Sequence, residues 1–393
     1  MINHQNYRLL ATAILFLTFQ SLSAFKIVHG PYLQNVGTTE VTIVWETDAP
    51  STGWVELAPD DNTDFYAISR PRILDTSIGI VRTSKLHTVR LLSLQPNTVY
   101  RYRVVSHEVK DRGAYSSQYG SYATDFIYHM PAKHFRTLNP QKPETSFMVY
   151  NDVHEHSYLL EKLGKLVDYQ NRDMVIFNGD MMNFFSHDST FFHGFMDEAV
   201  RLFAAEKPVY YVRGNHETRG PVAEYFHDYV CPRQPNLYFT WQQGPIFFIA
   251  LDTGEDKPDD DIEYSGFTDY DNYRSEQALW LKDVVKSDAF RKAKYRIVIE
   301  HIPPAIDADA WHGSLEVSQK FVPILNNAGI DLMICGHTHS FSYHPENQNM
   351  RFPILINSNH GVVAAEANTE QLHVKIVDVN GKKTFEKIYP CKH

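Results

Sequence analysis

The first third of the chain follows the two-residue rhythm of β-strands. In the stretch EVTIVWETD, Val41, Ile43 and Trp45 fall on one strand face, and NTVYRYRVVS alternates in the same way after a turn signal at Pro96-Asn97. Several such strands without helical stretches predict an antiparallel β-sandwich over residues 25–138. We expect this domain to pack against and position its neighbour. The alternative, a carbohydrate- or surface-binding module, has no motif to support it.

A polar stretch with two prolines, HFRTLNPQKPETS, separates this region from one with a different rhythm, and we place the boundary near Asn139. Over residues 139–393 short apolar runs alternate with segments of helical periodicity, which predicts α/β layers. The predicted strands are SFMVYND, DMVIFNGD, PVYYVRGN, YRIVIEH and IDLMICGH, and the predicted helices are YLLEKLGKLVDYQ, FMDEAVRLFAAE, YRSEQALWLKDVVKS and FVPILNNAG. Near the end, Asn380-Gly381 between HVKIVDV and KTFEKIY predicts a two-residue hairpin turn.

Side chains that can bind metal follow five of these predicted strands. A strand-end aspartate alone is commonly a turn residue, and a lone histidine is commonly satisfied in a core. Five such ends in one α/β region favour a shared site, because the carboxyl ends of strands meet at one edge of a sheet. The residues are Asp152 and His154, Asp180 and Asn183, Asn215 and His216, His301, and His337 and His339.

The donor set indicates which metals the site would take. Imidazole nitrogens with carboxylate or amide oxygens, and no thiolate, suit Zn, Mn or Fe. The set exceeds the needs of one tetrahedral ion, so we expect two metal ions bridged by a carboxylate. Two ions about 3.5–4 Å apart can bind a phosphoryl oxygen, generate hydroxide at neutral pH and stabilise an in-line displacement.

Five motifs in this order resemble the signature blocks of the calcineurin-like metallophosphoesterases: Asp152-Val153-His154, Gly179-Asp180, Gly214-Asn215-His216-Glu217, His301 and Gly336-His337-Thr338-His339. The resemblance implies a sandwich of mixed β-sheets flanked by helices. The preceding β region is similar in layout to the fibronectin type III-like domain of purple acid phosphatases. Two positions depart from those enzymes: His154 replaces a glycine, and Asn183 replaces the metal-binding tyrosine that gives them their colour.

The resemblance also implies a role for each side chain. One ion would be held by Asp152, His154, Asp180 and His339. The other would be held by Asp180, Asn215, His301 and His337, so that Asp180 bridges the two. His216 would contact the phosphate or protonate the leaving oxygen. Its alternative role is to orient Asn215.

Four neighbouring features have less definite roles. Arg213 could pair with phosphate or with an acid such as Glu217, and Glu217 is expected to fix a histidine ring. His156 reaches the site only if the chain stays extended beyond His154. The acidic segment 253–273 either walls the substrate pocket or is a solvated surface loop, and its spacing matches no calcium loop.

The bulk properties restrict the class of partner. The chain has 393 residues and a formal net charge of −10, which does not attract a nucleic acid duplex by general electrostatics. We therefore expect a small phosphorylated substrate. The oligomeric state stays open.

The first 24 residues have the features of a signal peptide. Arg8 precedes the apolar run LLATAILFLTF, and small residues in SLSA follow it up to Ala24. The run is too short to favour a membrane span, and an uncleaved anchor is the alternative. We expect a mature chain that begins near Phe25 and lies in the periplasm or outside the cell.

Export permits disulfides, but the chain has only three cysteines. Cys335 follows an apolar run and is expected to be buried. Cys231 and Cys391 lie in polar contexts and either pair or remain as thiols.

The sequence therefore predicts an exported binuclear phosphatase that hydrolyses phosphate monoesters by attack of a metal-bound hydroxide. A phosphodiesterase or nucleotidase on the same centre is the enzymatic alternative, because loops rather than metals select the leaving group. A surface-binding protein with a structural phosphoesterase domain is the third reading. Loss of a ligand would support it, and none of the proposed ligands is missing.

Overall fold

A computed structural model describes residues 24–125, 130–233, 235–307 and 309–392. The predicted signal peptide lies almost wholly outside the described residues. Within the described part of the chain, no helix is long and apolar enough to cross a membrane.

The first domain is built from antiparallel strands, as predicted. They are β1 (Ile27–Gln34), β2 (Val41–Pro59), β3 (Arg72–Leu74), β4 (Thr76–Ser77), β5 (Ile80–Val81), β6 (Ser84–Leu91), β7 (Val99–Arg112), β8 (Ser117–Thr124) and β9 (Lys133–Arg136). The first half of β2 pairs with β1 and β6, and its second half pairs with β3 and β7. The long strand β2 therefore passes from one layer of the sandwich to the other.

This domain buries side chains on both faces of its strands, whereas the alternating pattern predicted burial on one face. Val41, Ile43 and Trp45 enter one apolar core as expected, but Val44 on the opposite face is also fully buried, in a second core shared with the following domain. Tyr32 is in the same second core and donates a hydrogen bond to the carbonyl of Tyr229. The sandwich is thus covered on its second face by its neighbour.

The second domain contains the remaining strands and the helices. The strands are β10 (Thr145–Tyr150), β11 (Met174–Asn178), β12 (Val209–Val212), β13 (Phe239–Gln243), β14 (Ile246–Leu251), β15 (Tyr295–Glu300), β16 (Leu332–Cys335), β17 (Ser342–His344), β18 (Ile354–Ile356), β19 (Gly361–Ala367), β20 (Gln371–Asp378) and β21 (Lys383–Pro390). The α-helices are α1 (Tyr158–Leu166), α2 (Asp188–Phe191), α3 (Asp197–Ala199), α4 (Phe226–Val230), α5 (Tyr270–Val284), α6 (Asp288–Lys292), α7 (His312–Lys320) and α8 (Val322–Leu325). Single 3₁₀ turns cover Tyr169–Asn171, His216–Thr218, Ala223–Tyr225 and Ile262–Tyr264, and π-helical turns cover Phe192–Met196 and Val200–Ala204.

Two six-stranded mixed sheets form the centre of this domain and confirm the predicted sandwich. One has the order β12-β11-β10-β19-β20-β21 and the other β13-β14-β15-β16-β18-β17. Strands β10, β11 and β12 run parallel, as do β14, β15, β16 and β18. Apolar side chains of both sheets meet in one core, and each outer face packs against helices.

Three local predictions can be compared with the structure. Strand β9 ends at Arg136 and β10 begins at Thr145, so the proposed domain boundary falls in the connection between them. The last hairpin is not a two-residue turn, because residues 379–382 separate β20 from β21. Cys231 and Cys391 do not form a disulfide: the Cys231 thiol donates to the carbonyl of Asp228, while Cys391 lies near the carbonyl of Lys294.

Candidate metal centre

The five predicted strand ends meet at one edge of the two sheets. The strands are β10, β11 and β12 in one sheet and β15 and β16 in the other. Because the two sheets of this domain are stacked, these strand ends lie next to one another. The loop after each strand carries its polar side chain into the space between the loops. The structure brings together all the predicted residues: Asp152, His154, Asp180, Asn215, His216, His301, His337 and His339.

Left-handed backbone conformations aim several of these side chains. Asp152, His154, Asp180, His337 and His339 all have positive φ, between 47° and 73°. Non-glycine residues adopt this region at a cost, and they concentrate at functional sites. The backbone of each loop therefore turns sharply where its side chain enters the site.

One group of ligand atoms comes from Asp152, His154, Asp180 and His339, all within 4.8 Å of one another. The His154 and His339 Nε2 atoms are 3.0 Å apart, and His339 Nε2 is 3.4 Å from Asp152 Oδ1. These distances are close to the separation of about 3.0–3.4 Å that two ligand atoms have when each lies about 2.1 Å from one ion.

A second group comes from Asp180, His301 and His337. His301 Nε2 is 3.0 Å from Asp180 Oδ2, and His337 Nδ1 is 3.0 Å from Asn215 Oδ1. Asn215 therefore extends this group to four side chains. Asp180 belongs to both groups, in the position where a bridging carboxylate is expected.

Hydrogen bonds fix which ring nitrogens face the site. The carbonyl of Asn178 accepts from His301 Nδ1, at 2.8 Å, which leaves Nε2 for a metal. Asn183 Oδ1 lies 3.1 Å from His154 Nδ1, which likewise leaves the Nε2 atom of His154 for a metal. Asn183, at the position where the resembling enzymes have a ligand tyrosine, thus contacts a candidate ligand from behind.

Two buried polar atoms support the fit of the site to metal ions. Among the described residues, Asp152 Oδ1 accepts no hydrogen bond and His301 Nε2 meets only the Asp180 carboxylate, at 3.0 Å, although both side chains are almost completely buried. Buried groups of this kind are costly unless they are hydrogen-bonded or coordinate a metal. Both atoms face the other ligand atoms, so the donor set fits a pair of cations.

The electrostatics of the site lead to the same conclusion. Burial lowers the pKa of His301, but the Asp180 carboxylate outweighs it and raises that pKa to about 10. Burial, followed by the charge of His301, lowers the pKa of His337 to about 4. The Asp180 carboxylate therefore favours positive charge beside it, which a bound metal would supply.

His216 lies beside the two groups rather than within them. Its Nδ1 donates to the carbonyl of Asn183 at 2.7 Å, and its backbone N–H donates to Asp180 Oδ1 at 2.9 Å. Its Nε2 is 3.9 Å from Asp180 Oδ2, and the ring lines the open cleft. The predicted alternative, a ring that orients Asn215, has no corresponding hydrogen bond in the described structure.

Glu217 does not fix a histidine ring, which corrects the prediction. Its fully buried carboxylate accepts from the backbone N–H groups of Asp180, Met181 and Gly214 and from the Tyr211 hydroxyl, at 2.7–2.9 Å. It therefore joins the loop after β11 to the loop after β12. Burial, followed by the charge of Asp180, raises its pKa.

Two other residues have structural contacts instead of site contacts. Arg213 pairs with Asp252, with Nη2 2.8 Å from Oδ2, and not with Glu217. His156 is exposed because the chain turns after His154, and its Nδ1 bonds to the carbonyl of Val153. Its N–H closes the same turn, so the extended path needed to reach the site does not form.

Sequence reasoning missed three buried asparagines that support the strand ends of the site. Asn151 Nδ2 donates to Asp152 Oδ2 at 2.6 Å, and Asn357 Nδ2 donates to Asn151 Oδ1 at 2.6 Å. Asn178 Nδ2 donates to the carbonyl of Glu300, joining the ends of β11 and β15. Their signal was asparagine at the end of an apolar strand, a position that turn chemistry also favours.

An open cleft of about 950 Å³ leads to the site. One part of the acidic segment 253–273 walls the cleft, and another part is a solvated surface loop. Its first part is buried and lines this cleft with Asp256 and Lys257, whereas Ile262 and Phe267 are about 90% exposed. Arg219, also in the cleft, is held by Glu255 of the same segment at 2.7–2.8 Å.

Both parts of the chain match known families. Residues 145–341, half of the chain, match the calcineurin-like phosphoesterases, and residues 29–124 match the N-terminal domain of purple acid phosphatases. These matches confirm the resemblance inferred from the motifs.

Individual relatives are more distant. The chain is 23% identical to purple acid phosphatase 18 of Arabidopsis thaliana over 326 residues, covering 79% of this chain and 64% of the relative. It is 26% identical to purple acid phosphatase 3 of the same plant over 234 residues, covering 53% and 62%. The chain thus spans less than two thirds of the length of these relatives. A solved structure described as "Structure of PhoD" shares the fold, with a TM-score of 0.58 and 12% identity, over 91% of this chain and 88% of that one.

Proposed function

The chain belongs to the calcineurin-like phosphoesterase family, and from that premise we propose that it is an exported, metal-dependent phosphatase that hydrolyses phosphate monoesters. One observation carries the proposal. Two groups of metal-binding atoms lie side by side at the strand ends and have Asp180 in common. Enzymes of this family use a binuclear metal centre, and this chain retains a complete donor set for one.

We assign the ligands as the motifs predicted. Asp152, His154, Asp180 and His339 hold one ion, and Asp180, Asn215, His301 and His337 hold the other. When bound, such a pair polarises a phosphoryl oxygen and lowers the pKa of water to near neutrality. The imidazole nitrogens with carboxylate and amide oxygens suit Zn, Mn or Fe.

The protein's own residues position the substrate and move the proton. The Asn183 carbonyl holds His216 through Nδ1, so its Nε2 is directed to the cleft. Protonated at Nε2, this ring donates a proton to the leaving oxygen as the P–O bond breaks. Lys257, whose ammonium group pairs with Glu263, and Trp311 line the same cleft and provide a polar and an aromatic surface for the leaving group.

The substrate class is tested with the purified full-length protein. An aryl monoester, a diester of the same alcohol and pyrophosphate are compared, each with Zn, Mn or Fe after removal of metal by a chelator. We expect the highest kcat/KM for the monoester and no turnover without metal. A preference for the diester would replace the monoester assignment, and no hydrolysis with any metal would overturn the enzymatic proposal.

The two-ion centre is tested by counting metal. Asp180→Ala should bind two fewer ions than the wild-type protein, because the bridging carboxylate both neutralises charge and fixes the spacing of the ions. A difference of one ion would contradict the bridge.

Export is tested on the N-terminus. Mass spectrometry of the protein from the periplasm or medium should find a chain that begins near Phe25. An intact N-terminus in the membrane fraction would support the uncleaved anchor instead.

A further inference from the structure

A second cluster of metal-binding atoms lies away from the strand ends, between the two domains. His29 is on β1 of the first domain, while His193 and Asp197 belong to the continuous helical segment 188–204 of the second. Their ligand atoms all lie within 4.8 Å of one another. His29 Nδ1 is 2.8 Å from Asp197 Oδ1, and His193 Nε2 is 3.9 Å from Asp197 Oδ2.

The scaffold holds the three side chains in place. His193 and Asp197 are four residues apart in a helix and therefore share a face. The His29 ring stacks on Phe192, with 4.2 Å between centroids and 3° between planes. The His193 ring, although 69% of its side chain is exposed, lies with its centroid 5.1 Å from that of His29.

The surroundings are rich in negative charge. Glu46 is the cross-strand partner of His29, so the two side chains share a sheet face. Glu46 is 7% exposed, and its Oε2 has no hydrogen-bond partner among the described residues. Burial, followed by the nearby carboxylate of Asp188, raises the pKa of Glu46 to about 7. A cation bound beside His29 would reduce the repulsion between Glu46 and Asp188, which Lys85 and His29 only partly offset.

A second cluster of the same kind has its carboxylates paired with arginine and lysine side chains. Asp271, His312 and Glu316 also bring three ligand atoms together. There Arg274 pairs with Asp271 at 2.9 Å, and Lys320 pairs with Glu316. In the described structure, no lysine or arginine forms an ion pair with Asp197.

We propose that His29, His193 and Asp197 form an interdomain site for a divalent transition-metal ion of the zinc class. Two imidazoles and one carboxylate are a donor set that zinc accepts, with water at the remaining position. One ligand comes from the sandwich and two from the phosphoesterase domain. The ion would therefore connect the first domain to the helical segment 188–204 of the second domain. This inference does not depend on the chemistry of the strand-end centre.

The test counts bound zinc in the full-length protein after metal removal, by titration against a chromophoric chelator. His193→Ala changes an exposed side chain and should bind one zinc ion fewer than the wild-type protein. Asp197→Asn keeps the size of the side chain and an oxygen acceptor for His29, and it should lose the same equivalent. His312→Ala is the matched control and should bind as many ions as the wild type.

A second measurement reports on the fastening of the domains. Zinc should raise the thermal unfolding midpoint of the wild type more than that of His193→Ala. Because each comparison is a difference between variants, the result is independent of how many ions the strand-end centre holds. Equal zinc content in the wild type and His193→Ala would overturn the proposal and leave His29 and Asp197 as a simple hydrogen-bonded pair.

Discussion

At the scale of single residues, Asn183 decides how His154 enters the site. Its side-chain oxygen contacts His154 Nδ1, and its side-chain nitrogen and backbone N–H both donate to Glu155 Oε1. Its carbonyl accepts from His216. One residue therefore orients both a proposed ligand and the proposed general acid.

We predict that Asn183→Ala weakens metal binding. Without the acceptor, the His154 ring loses its preferred tautomer and orientation, and such changes typically lower metal affinity by about 10–100-fold. Asn183→Asp retains an acceptor and should recover most of the affinity, which competition with a chelator can measure. Equal affinities in the alanine variant and the wild type would show that His154 does not depend on Asn183.

A second prediction at this scale concerns His216. His216→Ala should keep the strand-end ions while kcat falls by about 10²–10⁴-fold, the usual contribution of a general acid or base. Metal content and kcat, measured on the same preparation, check both parts. Loss of metal in this variant would overturn its assignment.

The leaving group separates acid catalysis from phosphate binding. An aryl ester with a low-pKa leaving group needs little protonation, so His216→Ala should harm its hydrolysis less than that of an alkyl ester. Equal losses on both esters would instead assign His216 to electrostatic binding of phosphate.

At the scale of elements, the loops after β11 and β12 approach each other too closely for any side chain between them. A Cβ added to Gly179 would lie 2.4 Å from His301 Nδ1 and 2.6 Å from the Gly214 Cα. Gly179 also has φ of +77°, a conformation that favours glycine. The loop after β11 can therefore place Asp180 beside His301 only with glycine before it.

We predict that Gly179→Ala lowers metal affinity as well as stability. Gly266 is a matched control, because it has nearly the same φ, +76°, but nothing within 4 Å of an added Cβ. Gly266→Ala should cost only the conformational strain, about 1–2 kcal/mol in the free energy of unfolding, and should keep its metal. Chemical denaturation and metal titration of both variants separate strain from steric displacement. If both variants lose the same stability and no metal, the close approach is not important for the site.

At the scale of the whole molecule, the two domains share buried surface and buried charge. Tyr102 of the sandwich donates to the carbonyl of Ala205, and Tyr210 of the second domain donates to the carbonyl of Val36. Glu46 lies at this interface with Asp188 across it and with His29 and Lys85 on the neighbouring strands. Changes in the charge of Glu46 therefore affect how the domains fit together.

We predict that the stability of the metal-free protein depends on pH through Glu46. The pKa of Glu46 is raised from 4.5 to about 7, so the folded state favours its protonated form. Its contribution is complete below about pH 4.5 and is lost as the pH rises through about 7. Glu46→Gln remains neutral and should lack this dependence. Urea unfolding of both proteins at several pH values, with a chelator present, measures the difference; parallel curves would contradict it.

Local patterns in the sequence determined the β-sandwich, the alternation of strands and helices and the residues of the candidate metal centre. The reason is that strand period and strand-end chemistry are local: the apolar runs before Asp152, Asp180, Asn215, His301 and His337 define both the strand and its end. The tertiary structure decided contacts between residues distant in the chain. Glu217 binds backbone N–H groups of another loop, Arg213 pairs with Asp252, and Cys231 lies away from Cys391. Sequence could not predict these, because a carboxylate, a guanidinium or a thiol accepts many partners and only the packing of the two sheets selects one. The same packing places His29 beside Asp197, 168 residues away, where neither local sequence indicates a site.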